Sequence, residues 1–135
     1  MITLDAGVLI ALLDANDAHH ETADSLIRAH LADDMFISPL NLAEVLVKAV
    51  QQGRDAQLMD DITSLGVRAV SLPDDAPLRL ARLRAQLRLK LPDCCVLLAD
   101  EQTGAPIASF NQRLRSAPTE ARRIRADRSH RPCNP

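Results

Sequence analysis

Three carboxylates stand in apolar stretches of the sequence. Asp5 follows the apolar run 1–4, Glu44 lies inside the apolar helical stretch 40–50, and Asp93 directly precedes another apolar run. An ionised carboxylate in such surroundings is costly unless it is paired, protonated or bound to a metal. Carboxylate oxygens suit hard cations such as Mg2+ or Mn2+, which neutralise phosphate charge and activate a bound water. The three residues therefore predict a divalent-cation site that acts on a phosphodiester.

Asn111 holds a fourth position of the same kind, directly after the last predicted strand. An amide oxygen can ligate a hard cation but brings no charge, so we expect a weaker ligand and leave one or two metal ions open. Asn41 lies three residues before Glu44 on the same helical face and is a supporting candidate. Taken singly, Asp5 and Asp93 could be ordinary caps and a mid-helix Glu could face solvent. Only the joint pattern favours a site.

The elements that must position these residues alternate along the chain. Four short apolar runs predict strands, and the stretches between them have helical spacing. The predicted strands are 2–4, 35–37, 67–72 and 106–110. The predicted helices are 7–13, 20–32, 39–53, 54–65, 74–89, 92–104 and a short one after residue 111. This alternation predicts an α/β fold with a parallel sheet, in which ligands bind outside the carboxyl ends of the strands. All four candidate positions can therefore face one crevice.

Composition limits the class of protein. The chain has 135 residues, 47% of them hydrophobic and 25% charged, which fits one globular domain. No apolar run reaches the ~20 residues of a membrane span, and no signal peptide is visible, so we expect a cytoplasmic protein. Phe36 and Phe110 are the only aromatic residues, which argues against a base-stacking platform. The three cysteines have neither a metal-binding nor a disulfide spacing.

The net charge of −2 conceals an asymmetry. Residues 113–135 carry seven arginines and two carboxylates, a net +5, whereas the rest of the chain carries −7. Such a basic end can bind nucleic acid or a partner, or can be a solvated terminus. We predict a nuclease-like domain over residues 1–117 and an Arg-rich tail over 118–135 that could be disordered.

A few other polar groups receive a blander interpretation. Asp100 lies seven residues after Asp93, about 10 Å along a helix, so it is too far to share one ion and is read as a surface charge or an outer-shell group. The pair His19-His20 is read as surface histidines. Lys48 and Arg54 could approach a phosphate near Glu44, but are read as solvated.

Four segments follow one another with the order and intervals of a known family. They are Ile2–Leu13, Ser38–Leu46, Leu91–Ala99 and Pro106–Asn111. These segments resemble the PIN-domain family, in particular the small VapC-like toxins of type II toxin–antitoxin systems. The resemblance extends over roughly residues 1–115.

The resemblance implies a three-layer α/β/α fold with a central parallel sheet of four to five short strands. Asp5, Glu44 and Asp93 would be the acidic metal-site positions, Asn111 would replace the usual fourth Asp, and Ser109 would be a small hydroxyl residue near the site. The implied activity is Mg2+- or Mn2+-dependent endoribonuclease cleavage that leaves 5′-phosphate and 3′-hydroxyl ends. The implied partners are the RNA substrate, a cognate antitoxin that lies in or across the active site, and a second copy of the chain.

Two other hypotheses remain. The same fold could be a catalytically weakened module that binds RNA or protein, since Asn111 lacks the fourth negative charge. A receiver-type phosphoacceptor domain would need an acidic pair at the first strand, where only Asp5 stands, so we rank it below the other two.

Overall fold

The structure, a computed structural model, describes residues 1–129. Its short strands are runs of largely apolar residues, and its helices have their apolar side chains at helical spacing. The strands are β1 Ile2–Leu4, β2 Met35–Ile37, β3 Val67–Ala69 and β4 Ile107–Ala108. The helices are α1 Ala6–Leu13, α2 His20–Ala29, α3 Pro39–Gln51, α4 Asp55–Ser64, α5 Ala76–Leu87, α6 Leu91–Thr103 and α7 Gln112–Ser129.

The strands form one parallel sheet in the order β3-β2-β1-β4. Thr3 of β1 pairs with Phe36 of β2 on one side and with Ile107 of β4 on the other. Because every strand runs in the same direction, the carboxyl ends of β1, β2 and β4 meet at one edge of the sheet. The predicted α/β fold with a central parallel sheet of short strands is confirmed, with four strands.

Alternation along β1 separates the two sides of the core. Ile2 and Leu4 are buried in a cluster with residues of β2 and of helices α1 to α4. Thr3 points the other way, where its Oγ1 donates a 3.0 Å hydrogen bond to the carbonyl of Ala105, just after α6. A second cluster joins α5, α6 and α7, and the stretch of α6 from Cys94 to Asp100 is buried throughout. Helix α6 is therefore the central helix of its layer.

Several element boundaries differ from the sequence prediction. Strand β3 has three residues rather than the six predicted over 67–72, and β4 has two rather than five. The turn between α5 and α6 contains Arg88 with φ 54°, a left-handed backbone conformation that a non-glycine residue seldom adopts. Within residues 1–129, no helix is long and apolar enough to cross a membrane.

Helix α7 is much longer than the short helix expected after residue 111. It has 18 residues and runs through Pro118 into the stretch that was predicted to be an Arg-rich tail. Leu114, Ala117 and Ala121 recur on one face of α7 and are buried in the second core cluster. Burial of this face outweighs the local cost of the proline. The part of the predicted tail at 118–129 is thus helical, while residues 130–135, including Cys133, lie outside the described residues.

Candidate active site

Asp5 leaves the carboxyl end of β1 with an extended backbone, φ −77° and ψ 148°, just before α1. It occupies the N-cap position of α1, yet its side chain makes no capping hydrogen bond. Its Oδ2 instead accepts a 2.7 Å hydrogen bond from Ser109 Oγ, which lies directly after the adjacent strand β4. The pairing of β1 with β4 therefore brings these residues together across 104 positions of sequence. The second carboxylate oxygen has no partner among the described residues.

Glu44 and Asp93 make no hydrogen bond or ion pair within residues 1–129. Glu44 is exposed on α3, and Asp93 is half-buried in the first turn of α6. Partial burial raises the pKa of Glu44, and the negative charges of Asp5 and Asp93 raise it further. Burial and Asp5 likewise raise the pKa of Asp93, while Lys90 and Arg113 lower it. The three carboxylates thus lie close enough together for their negative charges to affect one another.

Asn41 connects the helices that carry two of these acids. It is fully buried, and its Nδ2 donates a 3.0 Å hydrogen bond to the carbonyl of Pro92. Glu44 lies one helical turn after Asn41, and Asp93 directly follows Pro92. The bond therefore holds the start of α6 against α3 and positions both acids. The other amide atom, Asn41 Oδ1, is buried with no partner among the described residues.

Asn111 lies at the same edge of the sheet, but its amide caps a helix. Its Oδ1 accepts a 3.1 Å hydrogen bond from the backbone N–H of Arg113, in the first turn of α7. Its own backbone N–H donates to Ser109 Oγ at 3.0 Å. Ser109 therefore links Asp5 to Asn111. The Asn111 oxygen retains a lone pair, so its role as a weaker metal ligand stays a prediction.

The chemistry of the donor set fits a hard divalent cation. Asp5, Glu44 and Asp93 offer only carboxylate oxygens, and one of the Asp5 oxygens is oriented by Ser109. Within residues 1–129, however, no three His, Cys, Asp or Glu side chains are close enough together to hold one ion at once. Mutual repulsion of like charges keeps such carboxylates apart when no cation neutralises them. None of the three carboxylates has an ion-pair partner within residues 1–129 that would compete with such a cation.

Comparison with known proteins identifies the family. The family model for the PIN domain matches residues 2–120. The chain belongs to the PIN-domain family.

Solved structures of low sequence identity share the fold of this PIN domain. One is a chain of a toxin–antitoxin complex from Klebsiella pneumoniae, with a TM-score of 0.69 and 21% identity over 82% of this chain and 87% of that one. Another is VapC20 from Mycobacterium tuberculosis, described as a Sarcin-Ricin loop cleaving toxin. It has a TM-score of 0.68 and 18% identity over 87% of this chain and 95% of that one. No curated protein matches the sequence.

Two cations beside Asp93 were missed from the sequence. Lys90 precedes it by three residues on the turn before α6, and Arg113 reaches it from the start of α7. The Arg113 guanidinium is held by a 2.6 Å hydrogen bond from Nη2 to the carbonyl of Leu87. The short spacing of Lys90 could have indicated its place. The place of Arg113 beside Asp93 depends on how α7 packs, and no local sequence pattern shows this packing.

The interpretation of Asp100 as a surface charge is wrong. Asp100 is 8% exposed, because α6 is covered on all sides. Burial raises its pKa, Glu101 raises it further, and Arg122 and Arg125 of α7 lower it.

The pair His19-His20 does not form a ligand pair in the PIN domain. His20 is half-buried, and its Nδ1 lies 2.8 Å from the carbonyl of Ala11. His19 is exposed and stacks on Phe110 with ring centroids 4.4 Å apart. The surface interpretation therefore holds for His19 and not for His20.

The cysteines of α6 are buried core residues. Cys94 and Cys95 are both free thiols, and burial raises the pKa of Cys94 to about 11. A thiol that stays protonated in this way is neither a nucleophile nor a metal ligand at neutral pH.

A groove of about 390 Å³ opens beside Glu44 between α1, α3 and α4. Both apolar and charged side chains line it. The apolar side chains are Ile10, Leu13, Val45, Ala49 and Leu58, and the charged ones besides Glu44 are Asp14, Lys48, Arg54 and Asp61. We call this feature the α3 groove. Its amphipathic lining suits a peptide segment more than a nucleic-acid strand.

Proposed function

We propose that the protein is a metal-dependent endoribonuclease and the toxin of a toxin–antitoxin pair. The observation that carries the proposal is the proximity of Asp5, Glu44 and Asp93 at the carboxyl edge of a PIN-domain sheet, where the charges of neighbouring acids raise the pKa of Glu44 and of Asp93. None of the three has an ion-pair partner among the described residues, so all remain available to a cation.

Asp5, Glu44 and Asp93 would hold Mg2+ or Mn2+. Such an ion, when bound, supplies neutralisation of phosphate charge and activation of an attacking water. Ser109 donates to one oxygen of Asp5 and so fixes the carboxylate plane while leaving the other oxygen free. Asn41 holds α6 against α3 and thereby sets the distance between the Glu44 and Asp93 side chains. These two neutral residues are positioning residues.

Asn111 bears on the number of ions. Because its oxygen already accepts the Arg113 N–H and it brings no charge, we propose that one ion binds unaided and that a second depends on the substrate. Isothermal titration with Mn2+ would give one site for the wild type. Asn111→Asp should add a second site or tighten the first, since it supplies a carboxylate that can cap the helix and ligate at once.

The proposed protein partner is an antitoxin segment that occupies the α3 groove and covers Glu44. Three features support it: apolar side chains line the groove, charged side chains of both signs line it as well, and Glu44 is one of them. The Klebsiella neighbour belongs to a toxin–antitoxin complex, which supports the same partner.

The proposed homodimer is supported by an exposed apolar stripe on α3. Leu40, Val47 and Val50 are 43%, 54% and 59% exposed, and they recur at helical spacing. Sedimentation analysis should give a dimer that Val47→Glu converts to a monomer. If the wild type already sediments as a monomer, the proposed homodimer is contradicted.

The alternative is a non-cleaving RNA- or protein-binding module. It is favoured by the engagement of Asn111 as a helix cap, which makes this position a poorer ligand. If the wild type binds no Mn2+ and cleaves no RNA while Asn111→Asp does both, the alternative holds.

The deciding experiment measures RNA cleavage with Mg2+ or Mn2+ by the wild type, Asp5→Asn and Asp93→Asn. Asp60→Asn is a matched control, because Asp60 is an exposed acid on α4 without a partner in the described chain. We expect activity in the wild type and the control only. Equal cleavage by all four proteins would indicate a contaminating nuclease and remove the support for the function.

A further inference from the structure

A cluster of unpaired cations surrounds the turn between α5 and α6. Arg84, Arg88 and Lys90, together with Leu89, line a shallow cavity of about 300 Å³ at this turn. Arg113, from the start of α7, reaches the same turn through its hydrogen bond to the carbonyl of Leu87. We call Arg84, Arg88, Lys90 and Arg113 the basic rim.

Two of these cations are held in place by the turn itself. Arg84 Nη1 donates a 3.1 Å hydrogen bond to the carbonyl of Leu89, and Arg113 Nη2 donates at 2.6 Å to that of Leu87. Both guanidinium groups keep further N–H donors free, since each carries five. The turn thus fixes two positive charges without neutralising them.

No member of the basic rim forms an ion pair within residues 1–129. Other arginines of the same helices are paired: Arg79 of α5 and Arg125 of α7 both bind Glu101. Four unneutralised cations on one small surface repel one another, and a polyanion relieves that repulsion. Phosphate groups are the anions that guanidinium and ammonium groups bind most readily along a nucleic-acid strand.

Arg88 adopts a backbone conformation at the turn that is unfavourable for a residue with a side chain. It ends α5 in the left-handed conformation, with φ 54°. Helix α6 ends in the same conformation at Gly104, with φ 68°, where glycine has no steric cost. An arginine at the equivalent position of α5 gives up stability and puts a positive charge at the turn.

The basic rim is contiguous with the acidic set, the name we give to Asp5, Glu44 and Asp93. Lys90 is the N-cap residue of α6 and Asp93 lies in the first turn of that helix, while the backbone N–H of Arg113 donates to Asn111 at the same edge of the sheet. An RNA strand that places one phosphate at the acidic set therefore has neighbouring phosphates within reach of the rim.

We propose that Arg84, Arg88, Lys90 and Arg113 bind the phosphates of the RNA strand next to the cleavage position. The inference rests on the proposed function, because it names the surface that holds the substrate of that site. The contact is to phosphates and not to bases, so it sets the path of the strand and contributes little to sequence preference.

Binding of a short labelled single-stranded RNA, measured by fluorescence anisotropy in EDTA at several salt concentrations, tests the rim without any cleavage. Affinity falls as salt rises, and each lost phosphate contact reduces the magnitude of the slope of log affinity against log salt by about 0.7 for a single strand. The double variant Arg84→Gln/Arg88→Gln should therefore reduce this magnitude by about 1.4. We expect an affinity loss of about tenfold at ~0.1 M salt. Arg28→Gln/Arg123→Gln removes the same charge from α2 and α7 outside the rim and should leave affinity within about twofold.

Further variants keep the test decisive. Arg88→Lys retains the charge and should bind RNA like the wild type. If the double variant does not fold, Lys90→Gln takes its place and should reduce the magnitude of the salt slope by about 0.7. An unchanged slope in the rim variants would overturn the proposal. So would rim variants that bind RNA normally but lose binding to a polyglutamate peptide, because the rim would then be a site for an acidic protein. Rim-dependent RNA binding without metal-dependent cleavage would uphold the rim and contradict the proposed function.

Discussion

The two ends of helix α6 treat their carboxylates in opposite ways. At the first turn, Asp93 has no hydrogen-bond or ion-pair partner within residues 1–129. At the last turn, Glu101 is 15% exposed and binds Arg79 of α5 at 2.8 Å and Arg125 of α7 at 2.9 Å. Its neighbour Asp100 is buried beneath the positive charges of α7.

The difference separates acids that hold the fold from acids that remain available. Glu101 is shared by two arginines and so ties α5, α6 and α7 together at one end of the layer. Asp93 instead faces the negative charge of Asp5, an arrangement that costs stability in the absence of a cation. The end with the unpaired carboxylate is the one that we propose binds a cation.

The largest expected effect is on cleavage. Asp93→Asn removes a proposed metal ligand and should lower RNA cleavage by about 100-fold or more, whereas Glu101→Gln should leave it within about threefold. Initial rates with Mn2+ at saturating RNA measure both variants against the wild type.

Thermal unfolding of the same variants provides the control. Asp93→Asn should unfold at the wild-type temperature or above it, because no partner is lost and a repulsion is removed. If Asp93→Asn were fully active, or if it were inactive only because it unfolds, the contrast between the two ends of α6 would fail.

The second effect is on stability, and it concerns Glu101. Glu101→Gln leaves the guanidinium groups of Arg79 and Arg125 without their shared carboxylate. Arg125 is 54% exposed and can turn to water, so we expect a loss of about 2 kcal/mol rather than the larger value of a fully buried pair. For a chain of this length the unfolding temperature should fall by about 5–8 °C. Arg28→Gln, which breaks an exposed pair with Asp24, should lower it by about 2 °C at most.

The proximity of Asp5, Glu44 and Asp93 could be predicted from the sheet topology together with the positions of Glu44 and Asp93 in their helices. Asp5 follows a strand, and parallel strands end at one edge of the sheet, so its position followed from the alternation of strands and helices. Glu44 and Asp93 were placed by their positions within α3 and at the start of α6. Their roles as ligands stay a prediction, since cleavage and metal binding decide them.

The basic rim and the burial of Asp100 could not be read from the sequence. The contribution of Arg113 to the rim and the cations near Asp100 depend on where α7 packs, and only a short helix was predicted after residue 111. The face formed by Leu114, Ala117 and Ala121 is buried in the second core cluster, and this tertiary packing stabilises the helix on both sides of Pro118. Asp100 lies on a helix that is covered on all sides, and periodicity does not distinguish such a helix from one with a solvent-facing side.

The third prediction concerns the strain at the turn that leads to Asp93. Arg88→Gly removes the steric cost of the left-handed backbone, about 1–2 kcal/mol, but adds freedom to the unfolded chain. We expect a net gain of about 0.5–1 kcal/mol in the free energy of unfolding by urea, together with weaker RNA binding. Arg88→Ala keeps the strain and loses the charge, so it should bind RNA weakly without any gain in stability. A stability gain in both variants would mean that charge repulsion, and not backbone strain, dominates at this turn.

The smallest effect tests whether α7 neutralises Asp100. Burial and the negative charge of Glu101 together raise the pKa of Asp100 more than Arg122 and Arg125 lower it, so ionisation of Asp100 destabilises the folded state. This penalty is complete above the raised pKa and disappears below the unfolded value of 3.8, where the group is protonated in both states. Asp100→Asn should therefore unfold at a higher temperature than the wild type at pH 8, and the difference should vanish near pH 3. A lower unfolding temperature for Asp100→Asn at pH 8 would show that the arginines more than offset burial, which would make this acid, like Glu101, a stabilising one.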